Sequence, residues 1–273
     1  MLTFPNAKIN IGLSITNKRE DGYHDLETIF YPVHFKDALE IIDAKDDATT
    51  IKTSGLSIQG NAEHNLVWKA YLLLQRDYPE RVKPLSMYLH KIIPMGAGLG
   101  GGSADGAFML SMLNKHFDLE ISEEKLIDYA LQLGSDCPFF IRNKPAFATG
   151  RGEQLSPIAL NLAACTIQLI CPEIHVSTAQ AFAGIKPKTP SFALQSVATL
   201  PISEWRRHVR NDFEPTVFKQ HPTLQNIKEQ LYEQGAVYAA MSGTGATIYG
   251  IFNKGESATV TCNVPFSQHL CDE

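Results

Sequence analysis

The chain has 273 residues, 44% of them hydrophobic, and a formal net charge of −5. That length and apolar content give a globular protein with room for two modest cores, and the acidic balance, with no basic stripe, excludes a general nucleic-acid binder. No apolar run approaches the length of a membrane span, the N-terminus lacks a charged segment leading into an apolar one, and the five cysteines form no C-x-x-C pair, so reduced thiols, a cytoplasmic setting and no membrane partner are expected.

In chain order, Ile9, Ile11, Leu13 and Ile15 alternate with other residues and predict a half-buried strand, with Lys8 and Asn10 on its opposite side. Further strands are predicted around residues 26–33, 38–42, 51–54 and 85–92. Asn65 stands where it can cap a helix running to about Tyr78, with Leu66, Ala70, Leu73 and Leu74 as its apolar face. A second helix follows a glycine-rich stretch at 94–104. A third starts at Ser122, with Glu123 and Glu124 in its first turn, and ends at Gly134. After a strand at 146–149, the run Gly150-Arg151-Gly152-Glu153 marks a candidate boundary that divides 1–152 from 153–273. The second half opens on a strand from Thr166 to Cys171 and passes two proline-bearing loops. It then turns helical, with Pro222, Leu224, Ile227 and Leu231 defining a helix that ends at Gly235. Strands at 237–241 and 246–252 flank a Ser-Gly-Thr-Gly turn. This mixed order predicts an α+β fold in both halves and not a doubly wound sheet.

The densest signal is Pro94-Met95-Gly96-Ala97-Gly98-Leu99-Gly100-Gly101-Gly102-Ser103-Ala104. Ordering so many glycines is costly, which suits a loop that takes positive φ and brings several N–H groups close to a ligand. The helix that follows aims its unpaired N–H groups and positive dipole end back at the loop, so an anion, and phosphate above all, is the natural ligand. A Walker A loop is excluded because no lysine precedes Ser103. The dinucleotide fingerprint is formally met by Gly96, Gly98 and Gly101, with Asp118 or Glu120 near the ribose distance, yet no series of strand–helix–strand units surrounds it. A flexible linker would not run from an apolar strand straight into an apolar helix.

The pattern P-x-G-A-G-L-G-G-G-S-A resembles the loop of the GHMP kinases, small-metabolite kinases that wrap a triphosphate with glycines unlike Walker A. Five other segments, in this order, extend the resemblance over nearly the whole chain: Pro5-Asn6-Ala7-Lys8-Ile9-Asn10, Asp21-Gly22-Tyr23-His24, Gly134-Ser135-Asp136-Cys137-Pro138-Phe139-Phe140, Asn211-Asp212-Phe213-Glu214-Pro215 and Ser242-Gly243-Thr244-Gly245-Ala246. The resemblance implies a two-domain α+β architecture, with a ribosomal-S5-like ATP-binding domain at 1–152 and a ferredoxin-like substrate-binding domain at 153–273. It implies small-molecule substrates, ATP with Mg²⁺ and a cytidine-diphosphate-linked sugar alcohol, and no tightly bound prosthetic group.

The resemblance also distributes roles. Asp136, which on its own reads equally as a turn or helix-cap residue, matches the general base, and Lys8 matches the cation beside it that keeps it ionised. Asn10 matches a substrate hydrogen-bonding position. Tyr23 and Phe182 would stack on the two faces of the cytosine while His24 bonds its edge, with Phe30 and Thr178 lining the same pocket. Asn65 and Lys91 match positions near the adenine, and Pro94, Gly96, Ala97, Gly98, Leu99, Gly100, Gly101, Gly102, Ser103 and Ala104 form the triphosphate loop. Ser103 closes that loop within reach of a phosphate or the metal. The family's commonest ending is Ser-Ser-Asn where Ser103-Ala104-Asp105 stands here, which puts an extra carboxylate near the phosphates, and no metal ligand is assigned. Two other readings differ in kind: another GHMP specificity, such as homoserine or mevalonate, which should lack the Tyr23-His24 pair, and a dinucleotide-binding oxidoreductase.

Overall fold

The computed structural model describes residues 1–58 and 62–272. Its elements are β1 (Leu2–Thr3), β2 (Asn6–Lys18), β3 (His24–Lys36), β4 (Ala38–Asp43), β5 (Thr50–Gly55), α1 (Leu66–Asp77), β6 (Leu85–Lys91), α2 (Gly101–His116), α3 (Glu123–Leu133) and α4 (Cys137–Arg142). They continue as β7 (Ala146–Thr149), β8 (Gln154–Pro157), β9 (Cys165–Pro172), α5 (Thr178–Ala183), α6 (Ile202–His208), α7 (Glu214–Gln220), α8 (Pro222–Glu233), β10 (Tyr238–Met241), β11 (Ile248–Asn253) and β12 (Phe266–Asp272). Helices and sheets are mixed throughout, as an α+β fold requires. Among the described residues, no helix is long and apolar enough to cross a membrane, and all five cysteines are free.

The chain divides into two compact units that do not follow one cut: residues 1–7, 35–95 and 100–143 form the first, and residues 8–34, 96–99 and 144–273 the second. The first holds a sheet in the order β1-β4-β6-β5, antiparallel except for β5 against β6. Parallel neighbours need a crossover, and α1 supplies it. Asn65 caps α1 as its sequence position indicates, its Oδ1 accepting from Val67 N–H at 2.9 Å. Ser122 caps α3 in the same way through Lys125 N–H. Gly106 lets α2 approach α1, because a Cβ there would stand 2.9 Å from Leu66 Cβ. The fully buried Val67, Ala70, Leu74, Met109, Leu110 and Leu113 are core residues of this unit, and each large side chain contributes ~1.5–3 kcal/mol on burial.

The second unit holds two four-stranded sheets, β2-β3-β7-β8 and β10-β11-β9-β12. The latter is antiparallel throughout, with α8 packed on β10 and β11. Its strand order is that of a ferredoxin-like sandwich, but the second crossover, residues 254–265, is irregular instead of helical. Glutamine side chains supply its partners. Gln168 pairs with both main-chain groups of Ala258, Gln234 with both of Thr259, and Gln230 with both of Thr261. Amides so placed satisfy the backbone as a neighbouring strand would, and the β-branched run Thr259-Val260-Thr261 disfavours a helix there.

One sequence expectation changes here. β2 is not half-buried: Lys8 and Asn10 are each only 3% exposed, because polar partners cover that face as well. The run Gly150–Glu153 is the turn of the β7–β8 hairpin, where Thr149 faces Gln154 and Leu26 N–H donates to the Gly150 carbonyl. The turn read around Asp136 is present, closed by Cys137 N–H on the Gly134 carbonyl at 3.1 Å, and it leads into α4, with Pro138 in the first turn, where its missing N–H leaves no bond unmade.

Candidate active site

The glycine loop takes left-handed backbone at alternate positions, with φ of +67° at Gly96, +79° at Gly98 and +70° at Gly100. Side chains are strained in that region, which accounts for glycine there. Gly98 carries a second constraint, since a Cβ on it would collide with the Ser242 carbonyl. Beyond the loop, α2 starts at Gly101 with Gly100 as its cap residue and no side chain bonded to its first amides. A helix start in that condition can hold an anion with its own N–H groups.

Residues 96–99 are bound into the second unit by the polar face of β2. Lys8 Nζ donates to the Gly98 carbonyl at 3.0 Å and to Asn10 Oδ1 at 2.5 Å, and lies 5.0 Å from the centre of the Phe30 ring. Ser242 Oγ donates to the same Gly98 carbonyl at 2.7 Å and accepts from Asn10 N–H at 3.2 Å. Asn10 Nδ2 donates to Thr28 Oγ1, which donates to the Gly12 carbonyl. The Asn-Asp-Phe-Glu motif supports this cluster from behind. Asn211 Nδ2 donates to the Met241 and Gly243 carbonyls, both at 2.8 Å, while Glu214 accepts from Met241 N–H and from Lys228. Asp212 accepts from Ile15 N–H and pairs with Lys188.

The aromatic residues also fall in the second unit, in a different arrangement from the expected two-faced slot. Phe182 stacks on the His24 imidazole, ring centres 5.0 Å apart, and meets Phe213 edge-on. Tyr23 is 56% exposed, with the Arg151 guanidinium 4.5 Å from its ring centre. So each proposed stacking face carries a cationic or aromatic neighbour from the chain itself. Thr178 lies exposed at the first turn of α5.

The remaining candidates belong to the first unit. Asp136 is half-buried at the start of α4, and its carboxylate makes no capping bond to that helix. Ser103, in the first turn of α2, hydrogen-bonds the Cys137 thiol, whose pKa burial nevertheless pushes up to about 12, so the thiol stays protonated. Asn65 is engaged as the α1 cap. Lys91 is neither a solvated strand end nor open to an adenine through its side chain. Its ammonium is fully buried between Asp37 and Asp105, because that interior holds two carboxylates that require a cation. Asp105 correspondingly turns away from the phosphate loop, its Oδ2 accepting from Lys91 Nζ at 2.7 Å. Burial, with Asp37 nearby and against the pull of Lys91, raises its pKa to about 7.

Sequence reasoning missed the clamp made by Ser242, although it singled out the Ser-Gly-Thr-Gly segment. It saw Arg151 only as part of a boundary. Asp37 sits in no motif, and nothing in its neighbours marks it.

Comparisons with known proteins complete the picture. The family model described as the GHMP kinases N terminal domain matches residues 65–144, and the one described as GHMP kinases C terminal matches residues 194–266. The chain is 51% identical over 261 residues to 4-diphosphocytidyl-2-C-methyl-D-erythritol kinase of Bacteroides fragilis, covering 95% of this chain and 94% of that one. With the like-named protein of Bacteroides thetaiotaomicron it shares 53% over 254 residues, 92% of each. Among solved structures, a 4-(cytidine 5'-diphospho)-2C-methyl-D-erythritol kinase superposes with a TM-score of 0.78 at 29% identity, covering 92% of this chain and 90% of the other. The homoserine kinase of Cytophaga hutchinsonii superposes at 0.67 with 17% identity, over 97% and 94%, a likeness of fold.

Proposed function

The chain belongs to the GHMP kinases, and we propose that it phosphorylates the 2-hydroxyl of 4-diphosphocytidyl-2-C-methyl-D-erythritol with ATP, a step in non-mevalonate isoprenoid precursor biosynthesis. The two family matches lie on either side of residues 152/153, which supports reading 1–152 as the ATP-binding part and 153–273 as the substrate-binding part. Five free thiols agree with a cytoplasmic setting.

The observation that carries the reading is the clamp on Gly98, where Lys8 and Ser242 both donate to one loop carbonyl. Phosphoryl transfer needs little beyond positioned charge. The clamp fixes the amide-lined loop and stations an ammonium beside it, where charge develops in the transition state. In this reading Asp136 accepts the proton of the attacking hydroxyl and Lys8 supplies positive charge to the transferring phosphoryl group. Tyr23 and Phe182 then receive the cytosine in place of their present neighbours, with Asn10, His24, Phe30 and Thr178 around the rest of the substrate.

Among the described residues, no three of His, Cys, Asp or Glu cluster to hold a metal, and Asp105 is committed to Lys91. The residues present fit Mg²⁺ brought in with the nucleotide, which the Ser103 hydroxyl would help to hold. Its chemistry there would be positive charge supplied to the phosphates.

The test is ADP release by the purified chain against a panel of cytidine-linked and free alcohols. Turnover confined to the cytidine-linked alcohol is expected. Turnover with homoserine or mevalonate instead would move the chain to another GHMP specificity.

A further inference from the structure

Three side chains that lie beneath the glycine loop have no part in the chemistry just described. Asp37, between β3 and β4, accepts from the amides of Ile92 and Ile93 through Oδ1, at 2.5 and 2.9 Å, and from Lys91 through Oδ2. Those amides belong to the segment that enters the loop. Lys91, at the end of β6, also donates to Asp105 Oδ2 at 2.7 Å, and Asp105 lies in the second turn of α2, the helix that leaves the loop. All three side chains are essentially inaccessible, at 0%, 0% and 3% exposure for Asp37, Lys91 and Asp105. Gly101, the first residue of α2, faces the same place: a Cβ on it would stand 2.7 Å from Ile93 Cγ2 and 3.3 Å from Lys91 Nζ.

We propose that Asp37, Lys91 and Asp105 form a positioning brace that joins the two ends of the phosphate loop and sets the aim of its amides without touching the nucleotide. The physical argument is one of cost. Taking two carboxylates and an ammonium out of water is expensive, and such a cluster is weak evidence for stability alone. What this one does is geometric: one cation bonds a carboxylate on each side of the loop, so entry and exit cannot shift independently. Charge-assisted bonds are short and directional enough for that task. Asp105 Oδ1 is buried without a hydrogen-bond partner among the described residues, so the oxygen bonded to Lys91 is the only one through which this carboxylate is held. The proposal rests on reading the loop as a nucleotide site.

The experiment uses the full chain in three forms, wild type, Asp105→Asn and Asp105→Ser. Asn keeps an oxygen that reaches Lys91, whereas Ser is too short to do so. Binding of a fluorescent ATP analogue with Mg²⁺, the KM for the cytidyl alcohol and hydrogen exchange at residues 92–104 are read for each. In D105S the nucleotide Kd should rise about tenfold or more, since small misplacements at such sites are expensive. Its KM for the alcohol should stay within about twofold, and the loop amides should lose protection. D105N should remain close to wild type on all three. If D105S binds nucleotide as tightly as wild type, or loses both ligands equally, the brace does not position the loop. Wild-type protein that binds no nucleotide overturns the kinase reading instead, and loop protection in D105S, retained or lost, then decides whether the brace holds the loop.

Discussion

At the residue scale, the sharpest consequence concerns Asp136 and Lys8. Asp136→Asn keeps shape but cannot take a proton, so kcat should fall on the order of 10²- to 10⁴-fold with both substrates still bound. Lys8→Ala should also lower kcat, and it additionally takes the ammonium from Asn10 Oδ1 and one of two donors from the Gly98 carbonyl, which keeps Ser242. Residues that act as a unit are strongly non-additive. A double variant little worse than the poorer single one is therefore expected from steady-state kinetics, and full additivity would separate the two roles. Tyr23→Ala should raise the KM for the cytidyl alcohol and leave that for ATP nearly unchanged, because one stacked base face contributes ~1–3 kcal/mol; parallel movement of both constants would make Tyr23 a fold residue. Asp105 gives a pH signature. Its pKa rises from an ordinary 3.8 to about 7, first because it is buried, so between these values the folded chain keeps a proton that the unfolded chain has lost. Its contribution is then greatest below about pH 4 and is lost as the pH climbs to 7. Urea midpoints of D105N should accordingly gain on wild type between pH 4 and pH 7 and hold a constant lead above it. None of this was open to sequence, in which Asp105 stood as an extra charge facing the phosphates, because its partner Lys91 read as an adenine contact and Asp37, the other carboxylate on that lysine, lies far upstream and carries no motif.

At the element scale, what the sequence discloses is local chemistry. The Ser122 cap of α3 and the Asn65 cap of α1 were readable because the side chain and the amide it bonds are two or three residues apart. The irregular segment 254–265 was not, because its partners Gln168, Gln230 and Gln234 come from β9 and from α8 and its end. The polar face of β2 was misread for the same reason, its cover being Gly98, Ser242 and Tyr249. The start of α1 offers a clean measurement. Asn65→Ala should destabilise by ~1 kcal/mol through the lost cap, whereas Asn65→Ser, which can still accept from the helix amides, should cost far less. Measured beside stability, the KM for ATP separates the two roles that fall on this residue. A raised KM in the Ser variant, at unchanged thermal stability, identifies an adenine contact; an unchanged KM leaves Asn65 as a cap alone.

At the scale of the whole molecule, the chain passes between its compact units more than once, and the candidate residues are divided with it. Lys8, Asn10, Gly98 and Ser242 belong to one unit, and Ser103 and Asp136 to the other. The sequence boundary at 152/153 falls in the gap between the two family matches, 65–144 and 194–266, and it runs through the turn of the β7–β8 hairpin, between strands paired from Thr149–Gln154 to Ala146–Pro157. Residues 153–273 alone would also lose β2 and β3, leaving Asp212 without the Ile15 amide, Tyr249 without the Asn10 carbonyl and the Ser242 hydroxyl without Gly98. Buried polar groups stripped of partners cost about 1–3 kcal/mol each, against a total stability of only ~5–15 kcal/mol for a typical protein. The fragment 153–273 should therefore show no cooperative unfolding transition by circular dichroism and should be cut rapidly by protease. A second fragment, 144–273, keeps the hairpin but still lacks β2, and it should fail in the same way. Cooperative melting of 144–273 but not of 153–273 would trace the defect to the hairpin alone; cooperative melting of both would mean that β2 and the glycine loop are docked onto a domain that is complete without them.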